Sequence, residues 1–227
     1  VGILKDRAVV LDGNTLRGYN EKSGEIFSTK VSVDQGKLVS SSDRIYIADG
    51  KKLLILDKKG KLLKEIELPM TCKYLDFEND GVIVQGESMQ VAFNKDGVTI
   101  GSAVSDDGIM SENSISLKGT YSAFSSLNVN NNRIYSSLYL IDKDGNQIMK
   151  QVLYDEIIQF IKFISDEKYI VGTNNHIYIF QKEAIDGLVN VNRLKAMEVT
   201  DDNIFIIDED DLIVYDFNFK QVDKLSL

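Results

Sequence analysis

The sequence predicts an all-β fold built from one repeated unit of four antiparallel strands, and three observations carry that prediction. An acidic or amide residue recurs at Asp6, Asp43, Asp80, Asn132, Glu167 and Asp202, with spacings of 37, 37, 52, 35 and 35 residues. Fourteen residues after five of these anchors stands another such residue: Asn20, Asp57, Asn94, Gln181 and Asp216. A fixed internal register repeated in this way marks a repeat architecture. Between the anchors, short runs rich in Val, Ile, Leu, Tyr and Phe alternate with turn residues, and the single proline, Pro69, falls between units. There it removes no hydrogen bond from a ladder.

Each unit contains the same parts. A first strand precedes the anchor: GILK from Gly2, KLVS from Lys37, KYLDF from Lys73, FIKFI from Phe160 and KAMEV from Lys195. The second strand follows the anchor (DRIYIA from Asp43, DNIFII from Asp202) and carries the residues that suit a pleated, buried surface. The third is LLILD, MQVAFN, LYLID, HIYIF or LIVYD; the fourth is more polar, as in EIFSTKV, LLKEIEL and QIMKQVL. Second and third strands are joined by Asp12-Gly13-Asn14, Asp49-Gly50 or Asn174-Asn175, residues that tolerate the positive φ of tight hairpins. Third and fourth strands are joined by Lys22-Ser23-Gly24, Lys59-Gly60, Asp96-Gly97 or Asp144-Gly145, and in the last unit by Phe217-Asn218-Phe219. The one stretch with a helical aspect is Glu183 to Val189.

Six units of four antiparallel strands, at about 37 residues each, are the sequence form of a β-propeller. The expected domain is a single one over residues 1–227, with units at about 1–33, 34–69, 70–119, 120–155, 156–192 and 193–227. The alternative is a propeller of seven or more blades whose upstream blades lie outside this chain. Through IYIADGKKLLILDKKGKLL and IYSSLYLIDKDGNQI the chain resembles the pyrroloquinoline-quinone-like and YVTN-like repeat propellers. That resemblance implies a fold shared by many functions and transfers no activity. Such propellers also occur as uncharacterised, membrane-anchored domains outside the bacterial cytoplasm. A chain that starts at Val1 fits a processed protein or excised domain with an anchor upstream.

One unit departs from the register. Asn132 reaches its third-strand residue Asp142 in ten positions, and the extra chain before it, Ser105 to Asn131, is rich in Ser and Asn and carries Tyr121 and Phe124. This segment reads as a surface excursion or a longer edge strand, and in a repeat protein such insertions often lie on the binding side.

Composition removes several function classes. A net charge of −9 opposes general nucleic-acid binding, which needs clustered Lys and Arg. The lone cysteine, Cys72, and lone histidine, His176, provide neither a disulfide framework nor a His- or Cys-based metal site, and no Ser-His-Asp arrangement is signalled. Asp142, Asp144 and Asn146 imitate the start of a calcium loop, but the twelfth position is Leu153, so the DKDGN run reads as turn chemistry. Phosphate fingerprints and G-x-S-x-G are absent. With no tryptophan, the chain lacks the usual platform for a sugar or quinone ring, so no cofactor and no catalytic residue is assigned.

The turns between second and third strands carry Asp12, Asp49, Glu87 and the run Asp208 to Asp211, whereas those between third and fourth strands carry Lys22, Lys58, Lys59, Lys95, Lys143 and Lys182. The expectation is an acidic binding face comprising Asp12, Asp49, Glu87, His176, Asp208 and Asp210, with Tyr121 and Phe124 from the extra segment. The function expected is a monomeric, non-catalytic binding or scaffold module for a protein or peptide, basic in character, outside the bacterial cytoplasm. The alternatives are a hydrolase or lyase acting on a small molecule or glycan at an axial pocket, and a cytoplasmic location. No apolar run approaches the ~18 residues a membrane-spanning helix needs.

Overall fold

The computed structural model describes residues 1–4, 7–79, 81–105, 108–200 and 202–227; the anchors Asp6 and Asp80, with Lys5, Asp106, Asp107 and Asp201, lie outside the described residues. The strands form six four-stranded antiparallel sheets, and every ladder joins strands consecutive in sequence. Sheet one holds β1 (Gly2–Leu4), β2 (Arg7–Asp12), β3 (Thr15–Asn20) and β4 (Gly24–Lys30). Sheet two holds β5 (Lys37–Ser40), β6 (Arg44–Asp49), β7 (Lys52–Asp57) and β8 (Leu62–Glu67). Sheet three holds β9 (Tyr74–Glu78), β10 (Gly81–Gln85), β11 (Met89–Asn94) and β12 (Thr99–Val104). Sheet four holds β13 (Gly108–Ile115), β14 (Tyr121–Asn130), β15 (Arg133–Asp142) and β16 (Gln147–Tyr154). Sheet five holds β17 (Ile158–Phe163), β18 (Lys168–Thr173), β19 (His176–Gln181) and β20 (Ala184–Asn190). Sheet six holds β21 (Leu194–Val199), β22 (Ile204–Asp208), β23 (Asp211–Tyr215) and β24 (Gln221–Ser226).

The chain divides into two compact units, Val1–Thr99 and Ile100–Leu227. In the first, the inner strands of sheet two, β6 and β7, are buried on both faces. Ile45 and Ile47 of β6, with Leu54 and Leu56 of β7, pack toward Val9, Leu16, Val31 and Val33. The intervening residues, Tyr46, Ala48, Leu53 and Ile55, pack toward Val82, Val84, Val91 and Phe93. The period of two along a strand therefore divides one apolar run between two cores, which is why β6 and β7 read as unbroken hydrophobic stretches. Sheet five does the same in the second unit. Tyr169, Val171, Tyr178 and Phe180 face Leu138, Leu140 and Met149, while Ile170, Ile177 and Ile179 face Ile204, Ile206 and Ile213. Burying each such aliphatic side chain contributes roughly 1.5–3 kcal/mol. The Tyr169 and Phe180 rings also stack, with centroids 5.1 Å apart.

At Asp57, Asn94 and Asp216 the fourteen-residue register has a hydrogen-bond origin, which Asp142 shares. Asp57 Oδ1 accepts from the amides of Lys59 and Lys61 at 2.8 and 2.9 Å. Asn94, Asp142 and Asp216 each do the same to the amides two and four residues on. The residue three after the side-chain acceptor has positive φ, and the following pair is bulged, the arrangement of a type I turn closed by a left-handed residue. Gly60, Gly97 and Gly145 fill that position; in the last unit Phe219 does, at φ 57°.

Two local expectations are corrected. Glu183 to Val189 is not helical: β20 covers Ala184–Asn190 and is the fourth strand of sheet five. The alignment on Asn132 is also displaced. NRIYSS opens the third strand of sheet four, not the second, and the extra chain supplies the first two strands, β13 and β14. The fourth sheet therefore starts at Gly108 rather than near residue 120. The cause is length: β14 and β15 have ten residues each where the corresponding strands of the other sheets have five or six. Asn131 and Asn132 turn between them with φ of 48° and 62°, the two-residue hairpin geometry that asparagine tolerates.

Candidate binding surface on the fourth sheet

Several residues expected on an acidic face are spent on holding the chain. Asp208 is buried (8% exposed), and its carboxylate accepts from the amides of Asn192, at 2.9 Å, and Arg193, at 2.6 Å. These amides belong to the connection entering β21. Asp49 accepts from the Asp34 amide at 2.7 Å in the same manner, and Asn174 Oδ1 from the Ile157 amide at 2.7 Å. The residue at the end of a second strand thus fastens the connection into its own sheet. Asp210 is exposed and pairs with Lys195 at 2.9 Å, whereas Asp12, which faces Arg17 electrostatically, and Glu87 are exposed and accept no hydrogen bond among the described residues. Tyr121 lies at the opposite end of its sheet from the hairpin tip, its ring 6.0 Å from the Lys182 ammonium. Phe124 is fully buried, so its ring is a packing group and not part of a surface.

His176 has a partner that the sequence did not disclose. Its Nδ1 lies 3.1 Å from Oε1 of Glu156, close enough for an ion pair when the imidazole is protonated, although their alignment makes no hydrogen bond. Glu156 is buried, and its two oxygens accept from the Tyr178 hydroxyl at 2.7 Å and the Thr173 hydroxyl. Burial first, and then the Glu156 carboxylate, push the Tyr178 hydroxyl above the usual tyrosine pKa. Ser136 Oγ donates to the Glu156 carbonyl and accepts from the Ile158 amide, both at 3.0 Å, which fixes the connection between sheets four and five. This arrangement satisfies a buried carboxylate.

A concave feature of this unit lies on sheet four. Arg133, Tyr135 and Ser137 alternate along β15, and Lys150, Val152 and Tyr154 along β16, so all six project from one face. With Asn130 and Asn131 of the hairpin they line a hollow of about 440 Å³. Tyr135 and Tyr154 are directly paired across the strands, with ring centroids 5.8 Å apart. Tyr154 is 66% exposed. The Lys150 ammonium sits 5.2 Å from the centre of the Tyr139 ring, and the Arg133 guanidinium lies 3.7 Å from Asp155. Beneath, Asn128 donates to Ser126 and Ser137, at 3.1 and 3.3 Å, and Ser105 donates to Asn128 at 3.2 Å, making a satisfied polar floor. On the other face of the projecting hairpin, Val129 and Ile134 are paired and remain 65% and 42% exposed.

Tyr135, Arg133 and Tyr154 were missed because the displaced register hid the long hairpin. The signal was present: Asn130-Asn131-Asn132 between two alternating runs is a hairpin pattern.

A family model described as "Family of unknown function (DUF5711)" matches residues 4–206. No curated protein matches the chain. Among solved structures, Hsv2 from Kluyvelomyces marxianus is similar with a TM-score of 0.65 at 8% identity, over 98% of this chain and 83% of that one. BamB from Moraxella catarrhalis gives a TM-score of 0.61 at 12% identity, over 99% of this chain and 71% of that one. The Pan2 WD40 domain from Neurospora crassa gives 0.54 at 14% identity, over 82% and 63%. Identities this low establish fold alone: a β-propeller class with six four-stranded antiparallel blades.

Proposed function

The chain belongs to the family of unknown function DUF5711, and on that premise we propose that it is a non-catalytic module that binds a protein or peptide through the fourth sheet. The observation that carries this reading is the hollow between β15 and β16, where a tyrosine pair and two cations converge on the only hairpin built from ten-residue strands among the described residues. Tyr154, exposed, and Tyr135, half-buried, supply contact area at low entropic cost, the usual composition of an interaction surface. The propeller likeness supports an interaction or scaffold role as analogy. Asp12 and Glu87 are what remains of the expected acidic face as exposed carboxylates without a hydrogen bond among the described residues. The same reading takes the domain as a monomer outside the bacterial cytoplasm, tethered from upstream. Among the described residues no helix is long and apolar enough to cross a membrane.

Panning a random peptide library against the immobilised chain tests this reading. The expected result is a set of enriched peptides whose affinity falls at least tenfold on Tyr154→Ala, a substitution at an exposed position that leaves the core intact. No enrichment, or enriched peptides indifferent to Tyr154→Ala, refutes it.

A further inference from the structure

We propose that the hollow on sheet four takes the acidic side chains of an extended peptide that pairs with the outer edge of β16, displacing the Gln151 side chain from the Val152 carbonyl; this rests on the binding function proposed above and specifies its partner. Local charge is the first argument. The chain carries 35 acidic and 26 basic residues, yet among the described residues the hollow is lined by Arg133 and Lys150 and by no acidic one. Among the described residues Lys150 has no carboxylate within ion-pair distance, only the face of Tyr139 beneath it. A cation kept without a counter-ion on an acidic protein is a site of charge complementarity for an anion. Arg133 adds a planar fork, and its 3.7 Å approach to the exposed Asp155 leaves donors for a second carboxylate.

The second argument selects a peptide. β16 is the outermost strand of its sheet, and at eight residues it is the longest of the six fourth strands, the others having six or seven. Outer strands are usually guarded by charge. β4 carries Glu25 and Lys30, β8 carries Lys64, Glu65 and Glu67, and β24 carries Asp223 and Lys224, whereas β16 has Lys150 alone, as β20 has Asp186 alone and β12 has no charge. An incoming strand would bond its backbone to this edge. Its alternate side chains would then lie over Lys150, Val152 and Tyr154, the outer wall of the hollow. Alternating acidic residues match that spacing and meet Lys150 and Arg133, while the tyrosine rings pack against the stems between them. The partner is therefore an acidic segment of β-forming composition, opposite in sign to the basic partner read from the turns.

Fluorescence anisotropy with a labelled seven-residue peptide of alternating Thr and Glu, on the whole chain, tests the proposal. Binding is expected to weaken at least tenfold when every Glu is replaced by Gln, and at least fivefold with Lys150→Gln or Arg133→Gln. It is also expected to fall as salt rises from 50 to 500 mM. N-methylation of the edge-facing amides should abolish it. Equal binding of the Glu and Gln peptides, or indifference to both cation substitutions, overturns the charge assignment. Unchanged binding of the N-methylated peptide overturns the strand pairing. Tighter binding of an oligouronate than of the peptide overturns the choice of a peptide in favour of an anionic saccharide. Failure here is separable from failure of the broader reading: library peptides that respond to Tyr154→Ala while the acidic probe does not bind leave the module standing and remove only its proposed partner.

Discussion

Asp12, Asp49 and Asp208 occupy one position in three sheets, the last residue of a second strand, yet replacing each by alanine is expected to cost different amounts. Each pairs with the residue three positions on, across a two-residue turn. Among the described residues the carboxylate of Asp12 holds no amide, that of Asp49 holds one, and that of Asp208 holds two. A hydrogen bond to a charged group contributes about 1.5–3 kcal/mol. Asn192 and Arg193 are exposed residues, so water recovers part of the loss at their amides, and about 1–1.5 kcal/mol per donor is the appropriate scale. Asp208→Ala should therefore cost about 2–3 kcal/mol and Asp49→Ala about 1, with Asp12→Ala within roughly 0.5 kcal/mol of the parent. Urea unfolding followed by far-UV circular dichroism reads these values. With a slope of roughly 2–3 kcal/mol/M, Asp208→Ala should lower the midpoint by about 1 M in the transition of the unit that carries it. Equal midpoints for Asp208→Ala and Asp12→Ala would refute the clamp and return Asp208 to the surface.

Two further outcomes are expected. Burial, with a smaller contribution from Asp49 and opposition from Lys37, pushes the Cys72 thiol up to about 11. Its thiolate fraction at pH 8 is then on the order of 10⁻³, against roughly a quarter for an ordinary cysteine. Alkylation by iodoacetamide should be at least ~100-fold slower in the native chain than in guanidinium, and should rise about tenfold per pH unit from 8 to 10. Because the folded value lies above the unfolded one, the neutral thiol adds stability below about pH 8.5 that is lost as pH rises toward 11; rapid labelling of the native chain at pH 8 would contradict its burial. At Phe219, whose φ is 57° and whose ring packs against Tyr215, Phe219→Ala removes the packing and keeps the left-handed backbone. Phe219→Gly removes both, so the Gly variant should be the more stable by about 1 kcal/mol, measured by chemical unfolding. The opposite order would mean that no strain resides there.

The strand content, the antiparallel order and the position of most turns were legible because each is written locally. Asp57 and Asp216 announce their turns through side-chain bonds to amides two and four residues on, and that chemistry is visible as a fixed spacing. β20 was obscured because AIDGLVN carries charge and glycine on an exposed outer strand, where burial imposes no clear alternation. The long hairpin was obscured by the anchor itself: Asn132 has the right residue type, but in the structure it turns the chain rather than opening a second strand. Roles that depend on distant partners were not legible at all. Nothing near Asp208 in sequence says that its carboxylate will fasten Asn192 and Arg193, and nothing near His176 points to Glu156. Phe124 and Tyr121 looked alike as aromatic residues of one segment, but the pleat buries one and half exposes the other.

Every sheet is completed by a contiguous stretch of chain, from Gly2–Lys30 for the first to Gly108–Tyr154 for the longest, and none borrows a strand from elsewhere. For a β protein this places the hydrogen-bonded pairings close together in sequence, which lowers the entropic barrier to forming each one. During synthesis a sheet can close soon after its last strand leaves the ribosome, before the next repeat exists to compete for its edges. Assembly in the order of translation is then the expected outcome. The ten-residue hairpin of the fourth sheet is the step at which the growing chain must wait longest for its partner strands.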